Sequence, residues 1–220
     1  MGTSIYAKYC PEHNFGGRKV LNIGCGFAQY KYPNVINVDA YNSCDPDIVW
    51  DLNKTPYPFL DNSFDLILAN HILEHLPNWW GAFNECARVL REGGILELWV
   101  PGAGSDSIFG YRDHVNEINH CSFFGVIGTY RGRTNAWAIK NIRNHCNRLK
   151  IINKVTNLEN KIWLKYAPNF LKNLASVHLR NIVLEDGYIF RKVTHTEYEK
   201  ERREFNERNS PKGNKTVQML

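Results

Sequence analysis

VLNIGCGFAQYKYPNVINVDAY, residues 20–41, is the stretch on which the fold turns. It reads as a strand, a glycine turn, a short connection, a second strand and then an acid. A strand that ends in Gly-x-Gly lets the following backbone N–H groups approach a ligand with no Cβ in the way. Where a helix starts at such a turn, its free N–H groups favour a negatively charged ligand group. An acid closing the second strand can accept hydrogen bonds from both hydroxyls of a ribose. Gly24, Gly26 and Asp39 supply this pattern. Two spacings narrow the ligand. A dinucleotide fingerprint needs G-x-G-x-x-G with its acid about 20 residues on. Here the third glycine position holds Gln29, and Asp39 follows Gly24 by only 15 positions. That speaks against NAD or FAD. A smaller ligand, with an amino-acid carboxylate in place of the pyrophosphate, fits better.

The totals agree with one globular domain. The chain has 220 residues, 43% apolar and 22% charged, enough to bury a substantial core. No apolar run approaches the roughly 18 residues of a membrane span, and the N-terminal stretch lacks the apolar centre of a signal peptide. Six scattered cysteines form no C-x-x-C pair. That pattern predicts free thiols in a reducing, cytoplasmic compartment. The net charge of +5 is uneven: residues 1–110 carry 7 Lys+Arg against 12 Asp+Glu, and residues 111–220 carry 20 against 10. From Arg131 to Lys172 ten basic residues stand against Glu159 alone. Such asymmetry hints at an anionic partner or substrate; the competing reading is a solvated basic surface.

Along the chain, Lys19–Ile23, Val35–Val38, Ile48–Trp50, Leu66–Ala69 and Ile95–Val100 read as strands. Trp79–Arg91 reads as a helix, with Glu92-Gly93-Gly94 as its glycine stop. Ala136–Arg148 looks helical, Lys150–Val155 and Gly187–Val193 look like strands, and Pro168 opens a short helix. Glu197–Arg208 reads as an exposed charged helix supported by Glu199/Arg203 and Glu204/Arg208. The alternation predicts a Rossmann-like, doubly wound, mostly parallel seven-stranded sheet with helices on both faces and a C-terminal β-hairpin. Residues 1–196 form the domain, with 18–102 as a cofactor-binding half and 103–196 as a substrate-facing half carrying the basic insert 131–172. Residues 197–220 are a charged tail.

LNIGCG, INVDAY, DIVWDLNKTPYPFLDNSFDLILANHILEHL and ARVLREGGILELWVPG, in this order and spacing, resemble the class I S-adenosylmethionine-dependent methyltransferases of the methyltransferase type 11 group. The likeness covers roughly residues 18–102, and GYRDHVNEINHCSFF (110–124) resembles the segment after the fifth strand more weakly. It implies S-adenosyl-L-methionine as cofactor. Gly24, Cys25 and Gly26 would then pass beneath its methionine part. Asp39 would hold the ribose hydroxyls, with Ala40 beside the adenine. Asp51 and Leu52 would flank the adenine, the carboxylate taking its exocyclic amine. Asn70 and His71 would line the sulfonium and the substrate mouth. Asn22 stands where the family usually has an acid that helps hold the cofactor's ammonium. A neutral hydrogen bond contributes about 1 kcal/mol against about 1.5–3 to a charged group, so cofactor affinity is expected to be weaker but retained.

His71-Ile72-Leu73-Glu74-His75 spells H-x-x-E-H, an inverted zinc-peptidase signature. That motif needs helix through both histidines, and His71 directly follows a strand-like run. The family resemblance accounts for the same letters with no metal, so none is expected. Methyl transfer needs alignment more than acid–base chemistry, but a base titrating near 7 would help. His71 is the first candidate and His120 the second; His114 and Cys121 lie where substrate contacts are expected.

The leading expectation is an enzyme that moves a methyl group to an O or N atom of a small or medium-sized, anionic acceptor. Nucleic acid is the second choice, since no recognition module or interleaved aromatic stripe is visible. A catalytically silent binding protein on the same fold stays open. The oligomeric state is not legible.

Overall fold

The computed structural model describes residues 15–102, 105, 108, 111–123, 148–158, 168–171 and 183–208. Seven strands form one sheet: β1 (Val20–Ile23), β2 (Val35–Asp39), β3 (Ile48–Val49), β4 (Phe64–Asn70), β5 (Leu90–Pro101), β6 (Leu149–Leu158) and β7 (Val183–Lys192). Their order is β3-β2-β1-β4-β5-β7-β6. The first five run parallel; β7 is antiparallel to both β5 and β6. The expected class is therefore found: a Rossmann-like, mostly parallel sheet closed by a C-terminal hairpin.

The strands are legible because parallel strands are covered on both faces and so become unbroken apolar runs. All four residues of β1 are buried. Side chains alternate across the sheet. Leu21 and Ile23 enter the main core with Ile67, Ala69, Leu96 and Leu98. Val20 enters a second core with Phe15, Val35, Leu66 and Leu68.

The connections from β1 to β2 and from β2 to β3 carry no α-helix; turns and 3-10 segments suffice. Among the described residues the crossover helix is α1 (Trp79–Val89), between β4 and β5. Asn78 caps it, its side-chain oxygen accepting the Gly81 N–H at 3.3 Å. Its inner face, Ala82, Phe83, Cys86, Ala87 and Val89, is buried in the main core. Phe83 packs against Phe190 and Phe123 at 5.2 and 5.3 Å between ring centroids.

α1 stops at Val89, before the glycine pair expected to end it. Leu90 is already extended and pairs with Phe64. Residues 91–94 bulge out of the strand, with Gly93 at φ +77°, before pairing resumes at Ile95 with Leu66. Lys192 reinforces the change of direction, donating from Nζ to the Leu90 carbonyl at 2.6 Å. The glycines thus serve a β-bulge.

Helix α2 (His195–Arg208) follows β7. It is tied to the sheet edge by Arg191–Glu197 at 2.9 Å and by the Lys150–Glu201 pair. Glu199 pairs with Arg202 at 3.3 Å, while the Arg203 Nε donates to the Glu199 carbonyl. No described helix is long and apolar enough to cross a membrane. The thiols of Cys25, Cys44 and Cys86 are free. The helix expected over 136–148 lies outside the described residues except at its last position, as do most of the basic insert and residues 209–220.

Candidate active site

Parallel strands bring their C-terminal ends to one edge, and ligand sites in open α/β sheets form there. β1 ends at Ile23, immediately before Gly24, β2 ends at Asp39 and β4 ends at Asn70. Gly24 has φ +60°, and a Cβ there would lie 2.3 Å from Ile72 Cγ1. The turn after β4 therefore packs directly on the glycine turn. Gly26 has φ +47° with open space where a Cβ would stand. No helix follows, so helix-terminal charge makes no contribution at this turn. The Cys25 N–H bonds to the Val38 carbonyl at 3.1 Å, which holds the turn against β2.

Asp39 closes the arrangement. Its Oδ2 accepts the Gly26 N–H at 2.8 Å and its Oδ1 accepts the Tyr41 N–H at 3.0 Å. Each carboxylate oxygen keeps further acceptor capacity for a hydroxyl. Ala40 is exposed. Asp51 accepts the Asn53 N–H with Oδ1 at 3.0 Å, and its side chain is 42% exposed. Leu52 is buried in the main core. Two exposed aromatics that the sequence reading passed over flank the Gly26–Asp39 link: Phe27 at 87% exposure and Tyr41 at 72%.

Asn22 is buried, and its amide nitrogen donates to the Ala28 carbonyl at 3.2 Å and to Asn37 Oδ1 at 3.0 Å. It braces the loop between β1 and β2 across Asn37, which in turn bonds Tyr30 and Asp47. Burial, with the nearby Asp39 carboxylate, pushes the Cys25 thiol up to about 11. It is neutral at physiological pH.

At the end of β4, Asn70 Oδ1 is buried with no hydrogen-bond partner among the described residues. That acceptor suits a donor group of a bound ligand. His71 follows in the left-handed region, φ +50°, its backbone N–H bonded to the Trp99 carbonyl. Its Nε2 lies 2.9 Å from Glu185 Oε2 and its Nδ1 3.2 Å from Glu74 Oε1. Burial lowers its pKa, but the Glu185 hydrogen bond and the Glu74 carboxylate outweigh that and raise it to about 9. These two carboxylates favour the imidazolium form of His71 at neutral pH. His120 lies on a 3-10 turn, His120–Phe123, whose Phe123 is part of the aromatic core.

Sequence reasoning missed Glu185. The antiparallel hairpin brings the first residues of β7 to the edge where β5 ends, pairing Glu185 with Pro101. A strand read as starting at Gly187 leaves that residue outside.

Comparisons with known proteins bear on the same region. A family model described as "Methyltransferase domain" matches residues 21–98. A sterol 24-C-methyltransferase of Gibberella zeae is 30% identical over 40% of this chain and 29% of its own. The 27-O-demethylrifamycin SV methyltransferase of Amycolatopsis mediterranei is 46% identical over 22% of this chain and 17% of its own. The matched segment spans less than a third of either relative. A SAM-dependent methyltransferase structure from Archaeoglobus fulgidus shares the fold, with a TM-score of 0.53 at 14% identity over 84% of this chain and 90% of that one. The match to the methyltransferase-domain model lies over β1–β5, and the seven-stranded sheet built around that segment has the fold of the Archaeoglobus fulgidus methyltransferase.

Proposed function

We propose that this chain transfers a methyl group from S-adenosyl-L-methionine to an O or N atom of a small or medium-sized acceptor, with the cofactor held across the ends of β1 and β2. The observation that carries the reading is the Gly26–Asp39 hydrogen bond at 2.8 Å, which sets a carboxylate beside bare backbone at the open edge of the sheet. The cofactor brings a methyl group already activated on a sulfonium. The protein's task is to hold, align and exclude water, and alignment of this kind supplies roughly 7–11 kcal/mol.

In this reading Asp39 accepts the ribose hydroxyls and Gly24, Cys25 and Gly26 offer backbone to the methionine part. Ala40, Asp51 and Leu52 border the adenine, Asp51 through its carboxylate. Asn70 Oδ1, with no partner among the described residues, would accept from a cofactor N–H. Asn22, its amide nitrogen already engaged with Ala28 and Asn37, contributes by keeping the turn in shape. His71 serves as a cation locked between Glu74 and Glu185, lining the acceptor side. A hydroxyl or ammonium acceptor must then lose its proton to another group, with His120 the remaining histidine candidate.

The anionic character of the acceptor rests on the basic insert 131–172. Within its described part, Arg148, Lys150 and Lys154 already pair with Glu92, Glu197, Glu201 and Asp186.

The test is transfer of labelled methyl from the cofactor into a cell lysate, fractionated into small molecules, lipid, nucleic acid and protein. Label in the small-molecule fraction, abolished by Asp39→Ala, supports the reading. Label confined to nuclease-sensitive material would move the acceptor to nucleic acid. No transfer by a protein that still binds cofactor would make it a silent binder.

A further inference from the structure

The signature H-x-x-E-H is only partly a sequence coincidence. His71 leaves its pattern, because it sits in the left-handed region at the end of β4 and turns both ring nitrogens to carboxylates. Glu74 and His75 remain, and the fold brings a third residue to them. The described stretch 111–116 is strapped onto the 3-10 turn Leu73–His75. The Glu74 carbonyl accepts the Val115 N–H at 2.9 Å and the Asn116 N–H at 3.1 Å. Asn116 Nδ2 donates to the Leu76 carbonyl at 2.7 Å. These bonds set His114 beside Glu74 and His75, and the His75 and His114 rings lie 4.7 Å apart.

Glu74, His75 and His114 each offer one ligand atom, and the three atoms lie within 4.8 Å of one another. Glu74 is 1% exposed. Neither of its carboxylate oxygens has a hydrogen-bond partner among the described residues, although Oε1 lies 3.2 Å from the His71 ring. His114 Nδ1 is likewise buried and unpartnered. His71 faces Oε1 of this carboxylate, which leaves Glu74 Oε2 and His114 Nδ1 as buried acceptors with no partner among the described residues; such arrangements are costly, and a cation between them relieves both. His75 is already oriented as a metal ligand is. Its Nδ1 lies 3.2 Å from the Asp113 carbonyl and 3.3 Å from Asp113 Oδ2, so Nε2 is the nitrogen this arrangement offers to a metal. A ligating imidazole anchored by a carboxylate on its far nitrogen is the usual outer-shell arrangement.

From this we infer that Glu74, His75 and His114 bind one divalent transition-metal ion of the zinc type, with Asp113 orienting His75 and His71 standing behind Glu74. Two imidazoles and one carboxylate suit zinc, cobalt or iron better than magnesium or calcium. Metal–ligand bonds of about 2.0–2.2 Å put donor atoms on a tetrahedral ion about 3.4 Å apart, so rotations of the partly exposed histidines close the cage. Three protein donors leave a coordination position open, as in reactive metal sites.

The test uses the full-length chain, stripped with chelator and titrated with Co²⁺. One equivalent is expected to bind with visible d–d absorption and to be displaced by Zn²⁺. His114→Ala and Glu74→Gln are expected to weaken binding at least tenfold with native far-UV dichroism. Asp113→Asn is expected to weaken it about 10-fold or more, and His195→Ala, on exposed α2, to leave it unchanged. A readout on the wild type removes any dependence on variant folding: Zn²⁺ is expected to shield His75 and His114, but not His195, from diethyl pyrocarbonate. No absorption at millimolar Co²⁺, or equal labelling of His75 and His114 with and without Zn²⁺, would overturn the site.

Discussion

Gly24 and Ile72 are in such close register that a methyl group on the first would overlap the second: a Cβ at Gly24 would sit 2.3 Å from Ile72 Cγ1. The turn that ends β1 and the turn that ends β4 are therefore one packed unit. This contact fixes the relative position of Asp39, which bonds the first turn, and Asn70, which precedes the second.

Gly24→Ala is expected to destabilise the fold by about 2–4 kcal/mol, the sum of left-handed strain and overpacking. Gly26→Ala, also at positive φ but in open space, carries the strain alone and is expected to cost about 1 kcal/mol. Urea unfolding of both variants and of Gly24→Ala/Ile72→Ala checks this. The double variant should recover part of the loss; equal costs at the two glycines would mean the Ile72 contact is unimportant.

Arg88 is a junction. It donates to Glu85 at 2.7 and 2.9 Å, to Asp61 at 2.7 Å and to the Phe59 and Tyr57 carbonyls. Glu85 also accepts the Tyr57 N–H. The network fastens the chain before β4 onto α1. Arg88→Ala leaves a largely buried carboxylate half-satisfied and is expected to cost about 2–4 kcal/mol in chemical denaturation. Arg88→Lys should recover little, because an ammonium cannot span five acceptors on three sides.

Glu97 gives a pH signature. It is 1% exposed on β5 and accepts the Trp99 indole N–H at 2.9 Å. Burial pushes its carboxyl up to about 7 despite that hydrogen bond. A folded-state value above the unfolded one means the native state binds the extra proton between about 4.5 and 7. Stability therefore falls as pH rises through that window and is level above it. Glu97→Gln keeps the acceptor without the charge. It should be more stable than the wild type at pH 8, by on the order of 2 kcal/mol, and no more stable at pH 4.5. A constant difference across pH would place the effect elsewhere.

How much of this was legible follows from the physics of each element. β1, β2, β4, β5 and α1 announce themselves because two-sided burial writes continuous apolar runs and one-sided burial writes a helical stripe. Asp39 and the glycines are readable because they are close in sequence and bound to strand ends. Glu92-Gly93-Gly94 misleads, because a helix stop and a β-bulge ask for the same glycine. The His71–Glu185 pair joins residues 114 apart. Its proximity comes from the antiparallel return of β7, which no local pattern encodes. His114 meets Glu74 through backbone bonds of Val115 and Asn116, and backbone bonds of that kind leave no trace in side-chain spacing.

Asp39→Ala should weaken cofactor binding selectively. Loss of a charge-assisted pair of hydrogen bonds to the ribose is expected to lower S-adenosylhomocysteine affinity at least tenfold by calorimetry, from about 1.5–3 kcal/mol per bond. Asp51→Ala, at the more exposed end, should lower it less. The reverse ranking would shift the sugar away from β2.

The placement itself is tested most directly by a crystal structure of the chain grown with S-adenosylhomocysteine. The account predicts density across the carboxyl ends of β1 and β2, the ribose hydroxyls within hydrogen-bond distance of Asp39 and the amino-acid end over Gly24–Gly26. Density for the compound elsewhere on the molecule, with that edge filled only by solvent, would contradict it.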